Sequence, residues 1–113
     1  MRILLCGGAG YIGCHTFALL VEQGHEVTIV DSLVNSSLAV MQRLHALTGL
    51  PVDFRQVDMR DRAAMTGLLQ AGSFDAVVHF AALKSVGESC EKPLEYFDNN
   101  ISGTITLLQV MKE

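Results

Sequence analysis

Short apolar runs alternate with stretches of helical periodicity along the whole chain. Ile3-Leu4-Leu5-Cys6 carries no polar residue and predicts a strand buried on both faces, ended by Gly7-Gly8. From Tyr11 to Gln23, Ile12, Thr16, Leu19 and Leu20 fall at i, i+4, i+7 and i+8, which predicts the buried side of a helix. Gly24 suits the left-handed position that stops it. Val27-Thr28-Ile29-Val30 is β-branched throughout and predicts a second strand, ended by Asp31. Asn35, Ser36 and Ser37 offer N-cap oxygens to a second helix, with Leu38, Met41, Leu44 and His45 on its inner side and a stop near Gly49 and Pro51. Val52 to Val57 alternates and is more polar, as an edge strand should be. Asp61 caps a third helix, with Met65, Leu68 and Leu69 inward and Gly72 as its stop. Asp75 to Phe80 predicts the fourth strand. Pro93, at a first-turn position, opens a last helix whose expected buried stripe is Phe97, Ile101, Thr104, Leu108 and Met111.

Strands alternating with helices imply a parallel sheet with right-handed crossovers. The expected class is α/β: a partial Rossmann (doubly wound) fold, with four parallel strands in the order 3-2-1-4 and flanking helices. Residues 1–113 are expected to form one domain or part of one, since the complete fold continues with two further strands beside the fourth. Strand four is then an open edge with the apolar run Ala76-Val77-Val78. Such an edge invites pairing, so the expectation is a fragment of a larger protein or an edge that something covers.

Composition narrows the function classes. Half of the 113 residues are apolar and 18% are charged, unlike a disordered chain. The net charge of −4, without any basic run, argues against a nucleic-acid partner. No apolar stretch approaches the ~20 residues of a membrane span, and no signal-peptide pattern opens the chain. Cys6, Cys14 and Cys90 are an odd, unclustered set that fits a reducing cytoplasm. His15, His25, His45 and His79 lack metal-ligand spacing, so no metal site is expected.

The chemistry concentrates where the first strand meets the first helix. Gly7, Gly10 and Gly13 form G-x-x-G-x-x-G. Gly7 permits the tight turn, Gly10 lets the backbone approach a pyrophosphate, and Gly13 lets the helix pack closely on the sheet. A pyrophosphate then rests on the amides of the helix N-terminus, where the dipole favours negative charge. A glycine triplet alone also suits a loop that merely needs positive φ. The strand before it, the helix after it and Asp31 about 20 residues on favour the dinucleotide reading. A carboxylate at Asp31 accepts from ribose hydroxyls and repels a 2′-phosphate; no Arg or Lys lies between Asp31 and Gln42, so NAD is preferred to NADP. Asp58 follows the third strand, where an acceptor for an adenine amino group belongs, although Asp58 and Asp61 together also read as helix-entry residues. Phe80, Ala81 and Ala82 close the fourth strand with small residues beside the cofactor path, and Lys84 shares that edge. Cys14, in the first turn of a helix, reads either as a favoured thiolate or, by the commoner pattern, as a small buried hydrophobe. His79 reads as a hydrogen-bonded core residue, and Gly103 as a close-packing position.

Four stretches resemble the UDP-glucose 4-epimerases, a family of extended short-chain dehydrogenase/reductases. They are Gly7 to Gly13, Asp31 to Ser36, His79 to Ser89 and Pro93 to Asn100. The glycine loop alone fits many sugar-nucleotide enzymes; Leu83-Lys84 with Gly87-Glu88-Ser89 narrows the likeness. The resemblance runs the length of the chain and covers about the first third of a typical member. It implies a tightly held NAD, with Tyr11 and Ile12 at the pyrophosphate. It implies Asp31, Ser32, Leu33, Val34, Asn35 and Ser36 around the adenosine ribose, and Asp58 and Met59 at the adenine. Phe80, Ala81, Ala82, Leu83, Lys84 and Asn99 would line the route to the nicotinamide. It also implies a UDP-sugar substrate (UDP-glucose or UDP-galactose), galactose metabolism and a homodimer formed through helices, including the one from Pro93 to Glu113.

The family chemistry needs a Tyr-x-x-x-Lys base, and this chain has none: His15 stands four positions after Tyr11, and Asn100 four after Tyr96. No catalytic residue is therefore expected, and the 113-residue chain is expected to be inactive by itself. The competing readings are the cofactor-binding part of an epimerase, a non-catalytic NAD-binding module, and an inactive truncated product.

Overall fold

The computed structural model describes residues 1–33, 39–81 and 86–112. The first apolar run forms β1 (Arg2–Cys6) and the β-branched run forms β2 (Glu26–Asp31). With β3 (Asp53–Gln56) and β4 (Ala76–His79) they make a parallel four-stranded sheet in the order β3-β2-β1-β4. This is the expected α/β arrangement, a partial Rossmann fold with flanking helices. β1 and β2 are buried along most of their length. β3 is shorter than the alternation suggests and largely exposed, as befits an edge. β4 pairs with β1 alone among the described residues. Cys6 stands level with Val30 on one side and with His79 on the other. The residues that follow, Gly7, Asp31 and Phe80, therefore emerge together at the carboxyl edge of the sheet.

Two compact units are built from the chain: Met1–Val57 with Ser73–Ala81, and Asp58–Gly72 with Ala82–Glu113. In the first, Ile3, Leu5, Val27 and Ile29 form a core with Phe17 of α1 (Tyr11–Glu22) and Leu44 of α2 (Ala39–Thr48). Strand alternation sends Leu4, Cys6, Thr28 and Val30 to the opposite face. Full burial of each large apolar side chain contributes about 1.5–3 kcal/mol. Thr28 is the polar member of the strand interior, and its hydroxyl donates to Asp53 Oδ2 at 2.9 Å.

The periodicity of α1 is as expected, but its phase is not. Gly13 and Phe17 are buried, with Cys14, Leu20 and Val21 packed on the core, while Ile12 and Leu19 are exposed. The helix approaches through its glycine, which adds nothing to an apolar pattern. Its end is as read: Gly24, at φ +89°, donates to the Val21 carbonyl, and His25 to that of Leu20. This pair of bonds satisfies carbonyls that a helix terminus leaves open. The expected cap residues Asn35, Ser36 and Ser37, and Leu38, lie outside the described residues. In α2 Leu44 is buried and Met41 packs against the core, but His45 is exposed, its Nδ1 2.7 Å from the Leu50 carbonyl. Gly49 follows the helix with φ +71°.

In the second unit, Asp61 caps α3 (Arg62–Gly72): its Oδ1 accepts from the Ala64 amide at 3.1 Å. Met65 is buried and Leu68 and Leu69 half-buried, as expected. The left-handed residue after this helix is Ser73, at φ +50°, and not Gly72, which stays helical. The chain then contains a short helix absent from the sequence reading, α4 (Val86–Glu91). Pro93 opens α5 (Pro93–Phe97), which runs through a π turn (Asp98–Ser102) into α6 (Gly103–Lys112). Here the expected stripe is corrected. Phe97, Ile101, Leu108 and Met111 are exposed and Thr104 is half-buried, whereas Tyr96, Gly103, Leu107 and Val110 are buried. Both sides of this segment are apolar, so hydropathy does not choose between them. The contact with α3 does: α6 packs on α3, and Gly103 is buried facing the side chains of Met59 and Arg60, where a Cβ would make ordinary contact at 3.7 Å.

Candidate dinucleotide-binding site

The loop between β1 and α1 is fixed by sterics before any ligand is considered. Gly7 has φ +81°, and a Cβ there would stand 2.6 Å from the Ala81 nitrogen and 2.7 Å from the Phe80 carbonyl carbon. A Cβ on Gly13 would stand 2.2 Å from the Gly7 oxygen. Both glycines are thus demanded by the backbone around them. Gly10 is different: a Cβ there would meet nothing nearer than the Gly7 oxygen at 3.4 Å. Protein packing does not account for its lack of a side chain. Gly10 is the N-cap of α1, with extended backbone and no side-chain cap, and no acidic residue occupies the first turn. The first intrahelical bond runs from the Cys14 amide to the Gly10 carbonyl at 2.9 Å. The amides of Tyr11, Ile12 and Gly13 precede it and belong to the set that a helix start leaves without intrahelical partners. The dipole there favours an anion. Tyr11 and Ile12 are exposed at this corner, and the Tyr11 ring meets His15 edge to face at 4.7 Å.

Asp31 faces the same corner. Its Oδ2 accepts from the Ala9 amide at 3.1 Å and its Oδ1 from the Leu33 amide at 2.8 Å. A carboxylate offers about four acceptor directions, so roughly two remain for sugar hydroxyls. Leu33 itself is held at φ +63°, a left-handed conformation that a bulky residue adopts against its preference. Its bond to Asp31 helps to hold it there. Ser32 lies between the two and is half-buried.

Cys14 settles on the commoner of its two readings. Its thiol donates to the Gly8 carbonyl at 3.4 Å. Burial, and then the charge of Asp31, push its pKa upward, so the thiol is favoured over the thiolate. Cys6, buried within β1, is pushed up to about 12 by the same two causes.

The remaining sequence-identified residues divide three ways. Phe80 and Ala81 follow β4 beside Gly7. Val34, Asn35, Ser36, Ala82, Leu83 and Lys84 lie outside the described residues. Asp58, Met59 and Asn99 belong to the second unit. There Asp61 caps α3 and Asp58 shares the helix entry: its carbonyl accepts from the Asp61 amide at 2.9 Å and its Oδ1 from the Arg60 amide two residues on. The rest of the Asp58 carboxylate has a side-chain partner. That partner is Arg60, a residue the sequence reading did not single out. Arg60 donates through its backbone amide at 2.9 Å and through Nη2 at 2.6 Å, and Nη1 reaches Asp98. Arg60 holds the Asp58 carboxyl below the usual carboxylate range. The signal was present in Asp58-x-Arg60, two opposite charges two residues apart, but Asp98 stands 38 positions away and nothing local announces it. Met59 is buried, and the Asn99 side-chain amide donates to Asn100 at 3.0 Å. Among the described residues no group of three or more His, Cys, Asp or Glu could hold a metal ion, and no helix is long and apolar enough to cross a membrane.

Known proteins resemble this chain in sequence and fold. The family model described as GDP-mannose 4,6 dehydratase matches residues 4–113. UDP-glucose 4-epimerase 2 of Arabidopsis thaliana is 52% identical, over 98% of this chain and 33% of its own. UDP-glucose 4-epimerase of Klebsiella pneumoniae is 46% identical, over 99% of this chain and 81% of its own. The crystal structure of UDP-glucose-4-epimerase from Stenotrophomonas maltophila, with bound NAD and formylated UDP-arabinopyranose, superposes with a TM-score of 0.96 at 55% identity, covering 99% of this chain and 33% of that one. The enzyme from Bifidobacterium longum, in complex with NAD+ and UDP, gives 0.96 at 45% identity with the same coverage. The chain spans about one third of the length of the Arabidopsis relative and of both crystal structures. It belongs to the family that the GDP-mannose 4,6 dehydratase model describes, and corresponds to the N-terminal segment of that family's UDP-glucose 4-epimerases.

Proposed function

We propose that residues 1–113 are the NAD-binding segment of a UDP-glucose 4-epimerase, serving UDP-glucose/UDP-galactose interconversion in galactose metabolism. The observation that carries this reading is the Asp31 carboxylate bonded to the Ala9 amide, beside a helix start that no side chain caps. On this reading the amides of Tyr11, Ile12 and Gly13 take the pyrophosphate, and Gly10 admits it. Asp31 takes the adenosine ribose with Ser32, Leu33, Val34, Asn35 and Ser36 around it. Asp58 and Met59 take the adenine, and Phe80, Ala81, Ala82, Leu83, Lys84 and Asn99 lie toward the nicotinamide. Bound NAD supplies the hydride acceptor and donor that reversible oxidation at a sugar carbon needs. The chain's own part is to bind and orient.

The 113 residues contain no Tyr-x-x-x-Lys, so we assign them no acid–base residue. A second reading of the isolated polypeptide is a non-catalytic NAD-binding module or inactive truncated product. Titration calorimetry of the purified chain with NAD and ADP-ribose is expected to show binding of both, and no heat from either would remove the reading. The same preparation is expected to leave UDP-galactose unconverted; measurable epimerisation would overturn the assignment of no catalytic residue.

We take the working compartment to be the cytoplasm, supported by three cysteines that are all free. We also propose a homodimer. Leu94, Phe97, Ile101, Ile105, Leu108 and Met111 recur at three- and four-residue spacing and are all exposed. An apolar patch of this kind marks an interaction surface. Sedimentation equilibrium is expected to give twice the monomer mass, and Phe97→Asp with Leu108→Asp is expected to return it to the monomer. A monomeric wild type would dismiss the dimer.

A further inference from the structure

One residue occupies nearly all of the Asp58 carboxylate. Oδ1 accepts from the Arg60 backbone amide at 2.9 Å and from its Nε at 3.0 Å. Oδ2 accepts from Nη2 at 2.6 Å and shares Nε at 3.1 Å. Of about four acceptor directions on a carboxylate, roughly one remains, on Oδ2. The guanidinium is itself held at its far corner, where Nη1 meets Asp98 at the start of the π turn. Its stem lies under the first residue of α6: a Cβ on Gly103 would stand 3.7 Å from Arg60 Cγ. A planar fork held by two carboxylates has little freedom to turn. Arg60 therefore fixes the plane of Asp58 and the direction of its last acceptor. Asp58 is about one-third exposed, so that direction remains reachable.

We propose that Arg60, clamped by Asp98, is a positioning residue that sets Asp58 to select a 6-aminopurine over a 6-oxopurine. The proposal rests on the reading that Asp58 meets the adenine of a bound dinucleotide. A fixed carboxylate with one free acceptor accepts from an exocyclic amine. Against a 6-oxo group it sets lone pair against lone pair, and it cannot turn away to relieve the conflict. Without the clamp, Asp58 can rotate and admit either base through water.

The test is titration of the full chain with NAD and with nicotinamide hypoxanthine dinucleotide, which carries oxygen where adenine carries the amine. The wild type is expected to prefer NAD by about tenfold or more, the scale of one charge-assisted hydrogen bond. Arg60→Gln is expected to bring the ratio to within about twofold, as is Asp58→Asn, and Asp98→Asn to reduce it by about threefold. Asp98 is exposed and its replacement leaves the Asp58–Arg60 pair in place, so Asp98→Asn carries the test if Arg60→Gln fails to fold. Equal losses for both dinucleotides, with the ratio kept, would make Arg60 a merely structural residue and overturn the proposal. A wild type that binds NAD without discriminating would overturn it by removing Asp58 from the base. A wild type that binds no NAD would bring down the dinucleotide reading itself, and the proposal with it.

Discussion

Gly10→Ala is expected to leave the chain folded and to weaken NAD binding by about a hundredfold, while Gly13→Ala is expected to destabilise the fold by about 3 kcal/mol or more. The difference comes from what each new methyl group meets. At Gly13 it stands 2.2 Å from the Gly7 oxygen and 2.7 Å from Gly8 Cα, both backbone atoms of a loop already pinned against β4. Neither can retreat without moving the helix off the sheet. At Gly10 it meets one oxygen at 3.4 Å and otherwise fills the space in front of the helix start. That space is where we propose the pyrophosphate lies. Urea denaturation reads the first effect and titration calorimetry the second. A Gly10→Ala protein that binds NAD like the wild type would remove the pyrophosphate from this loop.

Asp31→Ala is expected to lower NAD affinity at least tenfold and stability by about 1–2 kcal/mol. The stability loss follows from two amides, those of Ala9 and Leu33, that lose their acceptor. Water reaches this partly buried carboxylate, which keeps the loss at the lower end of the range for stranded donors. The margin between NAD and NADP is expected to close in the same variant, since the carboxylate that opposes a 2′-phosphate is gone. In the wild type NAD is expected to bind more tightly than NADP. The reverse order would withdraw Asp31 from the ribose.

The sheet was legible in the sequence because β1 is an unbroken apolar run from Ile3 to Cys6 and β2 is β-branched throughout its centre, and the stops at Gly24 and Gly49 because left-handed backbone favours glycine. What misled was helical phase. In α1 and in α6 the buried side is the one that carries a glycine, Gly13 or Gly103. A glycine leaves no hydrophobic mark, whether the backbone demands it, as at Gly13, or would admit a methyl group in ordinary contact, as at Gly103, so the apolar pattern pointed to Ile12 and Leu19, and to Leu108 and Met111. α4 escaped notice because its six residues include a glycine and a serine and are too few to show a period. At the candidate site, Gly7, Gly10, Gly13 and Asp31 were readable because each has a local reason. The hold of Arg60 on Asp58 was not, because its second anchor comes from Asp98, on the far side of three helices.

The bond from Ala9 to Asp31 also bears on the kinetics of capture. Loop and acid are tied to each other before any dinucleotide arrives, and Leu33 already sits in its uncommon conformation. Little chain freedom is then left to surrender on association, which keeps the entropic penalty small. On the proposed reading, the Gly7–Ala9 turn and Asp31 are expected to need little rearrangement on encounter, so association is expected to be set by diffusion and orientation.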